Sequence, residues 1–328
     1  MSPLRPFKLS TDLRLCAEML PAAFQYPENP AWSIQPDEEE GLVDMLNRLA
    51  RIWPLIRFLQ FIFPSLRDYV RGYVWEEAGQ PIGIILLHRR GRTDTWHIAR
   101  AAVLPGYRRQ GIGRSLVQAG LDYIRDRGGK TVLLGVVTGN LPARRLYEQV
   151  GFETFRRTVE FDYGQSEPSL ELPLPNGYVV SWLSFYDWRA CYELEKRVTP
   201  ADIQRYESVA LPLSLVMRVP MWISTKASGV QTGSMVVRTA SDGQVVAIAD
   251  YSARLRPGGV NRIDLLVDPT HPQLAPYLLQ HLICITQRLS LGRQIAFTVP
   301  SWQEAVIAAA NAAGCVKRLE YCRMGVVL

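Results

Sequence analysis

Cysteine is sparse in this sequence: Cys16, Cys191, Cys284, Cys315 and Cys322 are scattered singly and none falls in a Cys-x-x-Cys pair. That pattern excludes a disulfide miniprotein and predicts buried thiols of a reducing cytoplasm. Long apolar runs are also missing. The most apolar stretch, residues 52–63, is too short to span a bilayer and is interrupted by Pro54 and Arg57. The N-terminal MSPLRPFKLSTDLRL has no apolar core of signal-peptide length. Charge of one sign is weak as well, with 37 Lys+Arg against 31 Asp+Glu and a net of +6. Such a balance suits anionic ligands without implying a nucleic-acid partner. These absences predict a cytoplasmic protein that binds neither membrane nor nucleic acid.

What is present is length and apolar content. At about 150 residues per domain, a chain of 328 residues that is 48% hydrophobic predicts two domains, each able to bury a core. Residues 164–177, GQSEPSLELPLPNG, contain Pro168, Pro173 and Pro175 and suit a linker. Before it, periodicity predicts strand 6–10, helix 12–24 and helix within 37–63. Strands 69–76, 82–87 and 95–103, helix 111–127, strand 131–137, helix 141–150 and strand 153–163 follow. After it the order recurs: strand 178–183, helix 187–198, strands near 221–225, 233–238, 245–252 and 262–267, helix 272–289, strand 294–299, helix 302–313 and strand 317–326. Val103-Leu104-Pro105 is echoed by Val267-Asp268-Pro269, and Val150-Gly151-Phe152 by Ala313-Gly314-Cys315. An internal repeat of this order predicts two α/β (α+β) domains, each a mixed, mostly antiparallel twisted sheet flanked by helices. The expected division is 1–163, a linker 164–176, and 177–328.

The most informative segment is VLPGYRRQGIGRSL, residues 103–116, between a predicted strand and an amphipathic helix. Its Arg108-x-x-Gly111-x-Gly113 core lets the backbone curl so that several N–H groups converge at a helix N-terminus, a site for phosphate or pyrophosphate. Arg108, Arg109 and Arg114 add positive charge there. Taken alone, the same pattern also describes an ordinary glycine turn with solvated arginines. It is neither a dinucleotide fingerprint, whose glycine spacing fails, nor a Walker loop, since no Gly-Lys-Ser/Thr is present.

A second motif follows: Asn140-x-x-Ala143-x-x-x-Tyr147-x-x-x-Gly151-Phe152. Together the two motifs resemble the GNAT superfamily of N-acetyltransferases. The resemblance implies acetyl-CoA as cosubstrate, no metal, and a tandem protein whose C-terminal domain is degenerate. It implies that the backbone of Ala101, Ala102 and Val103 meets the pantetheine arm, in a notch opened by a bulge in that strand. Amides of Arg109, Gln110, Gly111, Ile112, Gly113 and Arg114, with Ser115 beside them, would cradle the pyrophosphate, with Arg108 and Arg114 as supporting cations. Asn140 would reach the pantetheine, and Tyr147 would act as acid toward the CoA thiolate. Some superfamily members carry a glutamate base six residues before the Val. Here that place holds His97, which shares strand parity with Val103 unless a bulge shifts the phase. His97 is the first candidate base and Glu160 a weaker one; a packed or surface histidine is the competing reading.

In the second copy, counting from Val267, Pro272 stands for Arg108, Ala275 for Gly111 and Tyr277 for Gly113, while Pro276 removes an N–H. Gln303 and Ala310 stand for Asn140 and Tyr147. This copy is expected not to bind CoA, and either completes an acceptor site or only stabilises the fold. The run Asp37-Glu38-Glu39-Glu40 reads as a helix N-terminus or as an attractor of a cationic substrate. The run 52–63, with Trp53, Phe58, Phe61 and Phe63, reads as core or as an apolar acceptor pocket. The expected activity is direct transfer of acetyl from acetyl-CoA to an amine on a small molecule, peptide or protein, by a monomer (a pseudo-dimer) or homodimer. The rival reading is a non-catalytic acyl-CoA-binding or regulatory module.

Overall fold

The computed structural model describes residues 3–62, 70–90, 93–164, 171–207, 229–256, 259–290 and 292–328. The chain forms two compact units, residues 1–155 together with 322–328, and residues 156–321. This division differs from the expected one at the 164–176 linker. It falls inside two strands, so each of them serves both units along its length. The predicted strand near 221–225 lies outside the described residues.

The first unit contains β1 (Leu4–Pro6), α1 (Leu9–Ala23), α2 (Pro36–Arg51), α3 (Trp53–Ile62), β2 (Arg71–Glu77), β3 (Gln80–Arg89), β4 (Thr95–Val103), α4 (Ile112–Asp126), β5 (Thr131–Val137), α5 (Leu141–Gln149) and the start of β6 (Glu153–Tyr163). Its sheet runs β1-β2-β3-β4-β5, antiparallel except for the parallel β4–β5 pair. Residues 322–328 lie along β5: the Leu328 N–H donates to the Lys130 carbonyl at 2.8 Å, and Cys322 touches Thr138. β3 is buried on both faces, which its apolar run Ile82 to Leu87 allows. Ile85 and Leu87 meet Leu116, Leu121 and Ile124 of α4, whose apolar positions recur at helical spacing. Ile84 on the opposite face meets Leu13, Cys16 and Leu20 of α1.

α1 begins earlier than predicted, because Asp12 accepts the Lys8 N–H at 2.6 Å and pairs with Arg5 at 2.7 Å. The acidic run forms the first turn of α2, where Glu38 accepts the Gln35 N–H and the positive end of the helix dipole favours carboxylates. The apolar run 52–63 joins the core only in part, Trp53 packing against the cluster of α1 and β3. Leu55, Phe58, Phe61 and Ile62 of α3 are exposed, Phe61 at 78%, and Phe63 lies outside the described residues.

The second unit contains the rest of β6, β7 (Tyr178–Trp182), α6 (Trp188–Val198), α7 (Ala201–Gln204), β8 (Val230–Thr239), β9 (Val245–Arg254), β10 (Asn261–Val267), α8 (Leu274–Leu289), β11 (Ile295–Pro300), α9 (Glu304–Ala312) and most of β12 (Val316–Val327). Its sheet runs β6-β11-β10-β9-β8-β7. α8 and α9 cover one face over a core of Phe161, Val237, Leu265, Leu278 and Phe297, and α6 packs Leu194 and Val198 on the other. Thus β10-α8-β11-α9 repeats β4-α4-β5-α5. All five cysteines are free thiols, and no helix among the described residues is long and apolar enough to cross a membrane.

Candidate active site

In the first unit β4 and β5 pair only from Thr95 with Thr131 to His97 with Leu133, and then diverge. β4 instead stays on β3 as far as Val103 opposite Gly83, after a register slip that sets Leu87 opposite Ile98 but Leu86 opposite Arg100, leaving Ala99 as the extra residue of a bulge. The Leu104 N–H donates to the Ile82 carbonyl at 2.9 Å. By antiparallel alternation, Val103 and Ala101 therefore turn their own N–H and C=O groups away from β3 and into the notch, whereas Ala102 turns its pair toward β3. Of the three residues expected to meet the pantetheine arm, Ala101 and Val103 turn their backbone groups to the notch side and Ala102 turns its pair to β3, the Val103 carbonyl there accepting from Arg108 Nε.

The loop after β4 ends at the N-terminus of α4. Gly111 caps it at φ 80°, Arg109 also adopts a left-handed φ of 64°, and no side chain caps the helix. The first N–H groups of α4 have no partner within the helix and carry the positive end of its dipole. Arg109, Gln110, Gly111, Arg114 and Ser115 are exposed, whereas Ile112 is buried against β3. At Gly113 a Cβ would lie 3.1 Å from Leu146, so its bareness lets α4 sit close to α5. The arrangement fits an anionic group lying across the helix end.

Arg108 points elsewhere. Its Nε donates to the Val103 carbonyl at 3.2 Å, its Nη2 to the carbonyls of Ala23 at 3.0 Å and Gln25 at 3.3 Å, and its guanidinium lies 4.7 Å from the Tyr26 ring centre. The cations placed at the exposed loop are Arg109 and Arg114.

Asn140 caps α5, its Oδ1 accepting the Ala143 N–H at 3.2 Å. About two turns along the same helix, Tyr147 is buried with its ring edge-on to Phe152 at 5.8 Å. Burial, reinforced by Tyr26, pushes the Tyr147 phenol up to about 12. It remains a hydrogen-bond donor throughout the neutral range.

The bulge also reverses strand phase. Trp96 and Ile98 before it and Ala101 and Val103 after it share the face covered by α4, so His97 and Val103 lie on opposite faces despite their equal parity. His97 stacks on His88 with ring centres 4.9 Å apart. Burial first, then His88, Arg323 and Arg90, lower its pKa to about 3. Glu160 is buried in the second unit beside Arg318 at 3.6 Å.

The second unit has the same divergence, β10 and β11 pairing in parallel only at Asn261 with Ile295 and Arg262 with Ala296. Here the notch is filled. The Gln303 side chain, 3% exposed, accepts the Val267 N–H at 3.1 Å and donates to the Val267 carbonyl at 3.0 Å. The loop before α8 is occupied by side chains: Asp268 accepts from Thr270 of the loop and from Arg197 of α6 at 2.8 Å. Leu274 and Ala275, in the first turn of α8, are fully buried. Sequence comparison of the copies finds Gln303 at the Asn140 position; its seal on Val267 needed the fold.

Residues 37–152 match the acetyltransferase (GNAT) family. The chain is similar to N-alpha-acetyltransferase 30 of Schizosaccharomyces pombe, 32% identical over 162 residues that make up 48% of this chain and 98% of that protein. It is also similar to the mycothiol acetyltransferase of Rhodococcus opacus, 43% identical over 143 residues, but this match spans 43% of the chain and only 42% of that enzyme. The fold is similar to that of a tandem GNAT protein from the clavulanic acid biosynthesis pathway, with a TM-score of 0.63 at 15% identity, covering 99% of this chain and 98% of that one. A notch beside an uncapped helix end, two motifs in order and these likenesses agree: the chain belongs to the GNAT family of acetyltransferases.

Proposed function

We propose that the chain is an acetyl-CoA-dependent N-acetyltransferase whose first unit carries the cofactor site and whose second unit is a degenerate copy. The observation that carries this reading is the contrast between the notches: in one, Ala101 and the Val103 N–H turn from β3 beside an uncapped helix, and in the other Gln303 takes both backbone groups of Val267. Ala101 and Val103 would hold the pantetheine arm through their backbone, the 109–115 segment would hold the pyrophosphate, and Asn140 would meet the arm with its free amide edge. Acetyl-CoA supplies the acetyl group as an activated thioester. Tyr147, kept protonated by burial, would donate a hydrogen bond to the departing sulfur and so stabilise its developing negative charge.

In this reading His97 is a neutral imidazole stacked on His88 and not the base. An imidazole whose conjugate acid has a pKa of about 3 takes up no proton near neutrality, so the amine's proton leaves to solvent water. The test is calorimetry with acetyl-CoA, combined with detection of CoA release across a panel holding a peptide α-amine, a lysine side chain and an amino-sugar thiol. Turnover on one class supports the reading and assigns the acceptor; tight binding without turnover on any of them favours the regulatory alternative. Tyr147→Phe is expected to lower kcat by about a hundredfold with acetyl-CoA affinity retained. An unchanged kcat with chemistry limiting removes Tyr147 from the acid role.

A further inference from the structure

The geometry points to Arg108 as a positioning residue that latches the segment between α1 and α2 to the mouth of the cofactor notch, and not as a phosphate ligand. This assignment rests on the reading of the first unit as the cofactor site. Ala23 is the last residue of α1, and its carbonyl is one of the C-terminal groups that a helix leaves without an internal partner. The last turn of α1 has no basic residue of its own to meet the negative end of its dipole. Arg108, 85 positions further along the chain, supplies that cation, donating to the Ala23 and Gln25 carbonyls from one nitrogen and to the Val103 carbonyl from another. Its planar face lies on Tyr26, which sends its electrostatic influence to Tyr147.

The segment held in this way is itself folded. The Tyr26 N–H donates to the Ser33 Oγ at 2.8 Å, the Ile34 N–H returns to the Phe24 carbonyl at 3.2 Å, and Tyr26 and Trp32 meet edge to face at 6.0 Å. Trp32 rests against Gly139, where a Cβ would come within 2.8 Å of the indole, next to the Asn140 that caps α5. The segment therefore meets Arg108 of the first motif and Gly139, the residue just before the second. Since Arg108 spends its donors on Val103, Ala23 and Gln25, its charge serves to hold Tyr26 and Trp32 over the space beyond Val103.

The experiment compares wild type with Arg108→Met, Arg108→Lys and Arg109→Met by hydrogen–deuterium exchange over residues 22–34 without ligand, and by calorimetry with acetyl-CoA. Arg108→Met is expected to raise exchange in that segment about tenfold or more, with protection of β3 and α4 unchanged as the folding control. Arg108→Lys, which keeps a cation over Tyr26 and one donor, is expected to restore part of the protection. Arg109→Met is expected to leave 22–34 unchanged and weaken acetyl-CoA. Unchanged exchange over 22–34 in Arg108→Met overturns the latch. The exchange readout involves no ligand, so a wild-type protein that fails to bind acetyl-CoA would overturn the cofactor reading and leave this one standing.

Discussion

Gln303→Leu isolates what seals the second notch. In the native unit one buried amide satisfies both backbone groups of Val267, which is itself 1% exposed. Leucine keeps similar bulk but offers neither donor nor acceptor, and the N–H and C=O of Val267 are left buried without partners. Each such group costs about 1–3 kcal/mol, so the pair costs about 2–6 kcal/mol, less whatever the apolar side chain recovers by burial. For a unit of this size, residues 156–321, a change of 1 kcal/mol moves Tm by about 2–4 °C. A drop on the order of 10 °C in the transition of the second unit is therefore expected. Because two units need not unfold together, the assay is calorimetry paired with exchange at the β10 amides, which assigns the transition. A shift of under about 1 °C, with β10 protection intact, would refute the claim that the glutamine is the seal. Asn140→Ala in the first unit is the matched control: it removes only a helix cap, worth about 1 kcal/mol.

Gly111→Ala forces a side chain into the left-handed backbone at φ 80° without a steric neighbour, so the expected effect is a strain of about 1 kcal/mol and a five- to tenfold weaker acetyl-CoA affinity by calorimetry. His97 has a folded pKa of about 3 against an ordinary 6.5, so the unfolded chain binds a proton in that window that the folded chain refuses. Its stabilising contribution is complete above pH 6.5 and lost as pH falls toward 3; Tm measured against pH should show a shallower acid decline in His97→Gln, and an unaltered slope would contradict the assignment. Asp264 and Asp250 oppose each other on β10 and β9, and burial followed by Asp250 raises the Asp264 carboxyl to about 6. The folded state there binds the extra proton, so stability declines as pH rises from about 4 to 6, and Asp264→Asn should raise Tm at pH 7.5 more than at pH 4.

Much of the site was legible because its signals are local. A tight glycine turn and two residues two helical turns apart are set by spacing within a few residues: Gly111 takes a left-handed φ of 80°, and Asn140 and Tyr147 lie at the start of and within α5. A bulge in β4 was expected without its position, and parity counting set His97 on the face of Val103 only for an uninterrupted strand; the slip at Ala99 puts the two on opposite faces. Arg108 was read by its neighbours in sequence as a phosphate cation, whereas its guanidinium reaches carbonyls of α1, at a distance along the chain that no motif records. The apolar run 52–63 reads as core by composition alone, yet α3 exposes Phe58 and Phe61.

By itself the sequence determined one element order read twice, with the glycines Gly111 and Gly113 before the long helix of the first copy and Ala275, Pro276 and Tyr277 in the second. Only the tertiary structure decided where the units divide. The proline-rich segment marks a break in composition, but β6 joins β11 from Thr158 to Tyr163, and residues 322–328 close the first unit beside β5. The physical reason is that a strand's alternating pattern specifies which face is buried and says nothing about which edge its backbone will join. Edge partners are chosen by the assembled sheet, and so is the fate of each notch: in the first unit Ala101 and the Val103 N–H turn away from β3 and Arg108 takes the Val103 carbonyl, whereas in the second Gln303 takes both groups of Val267.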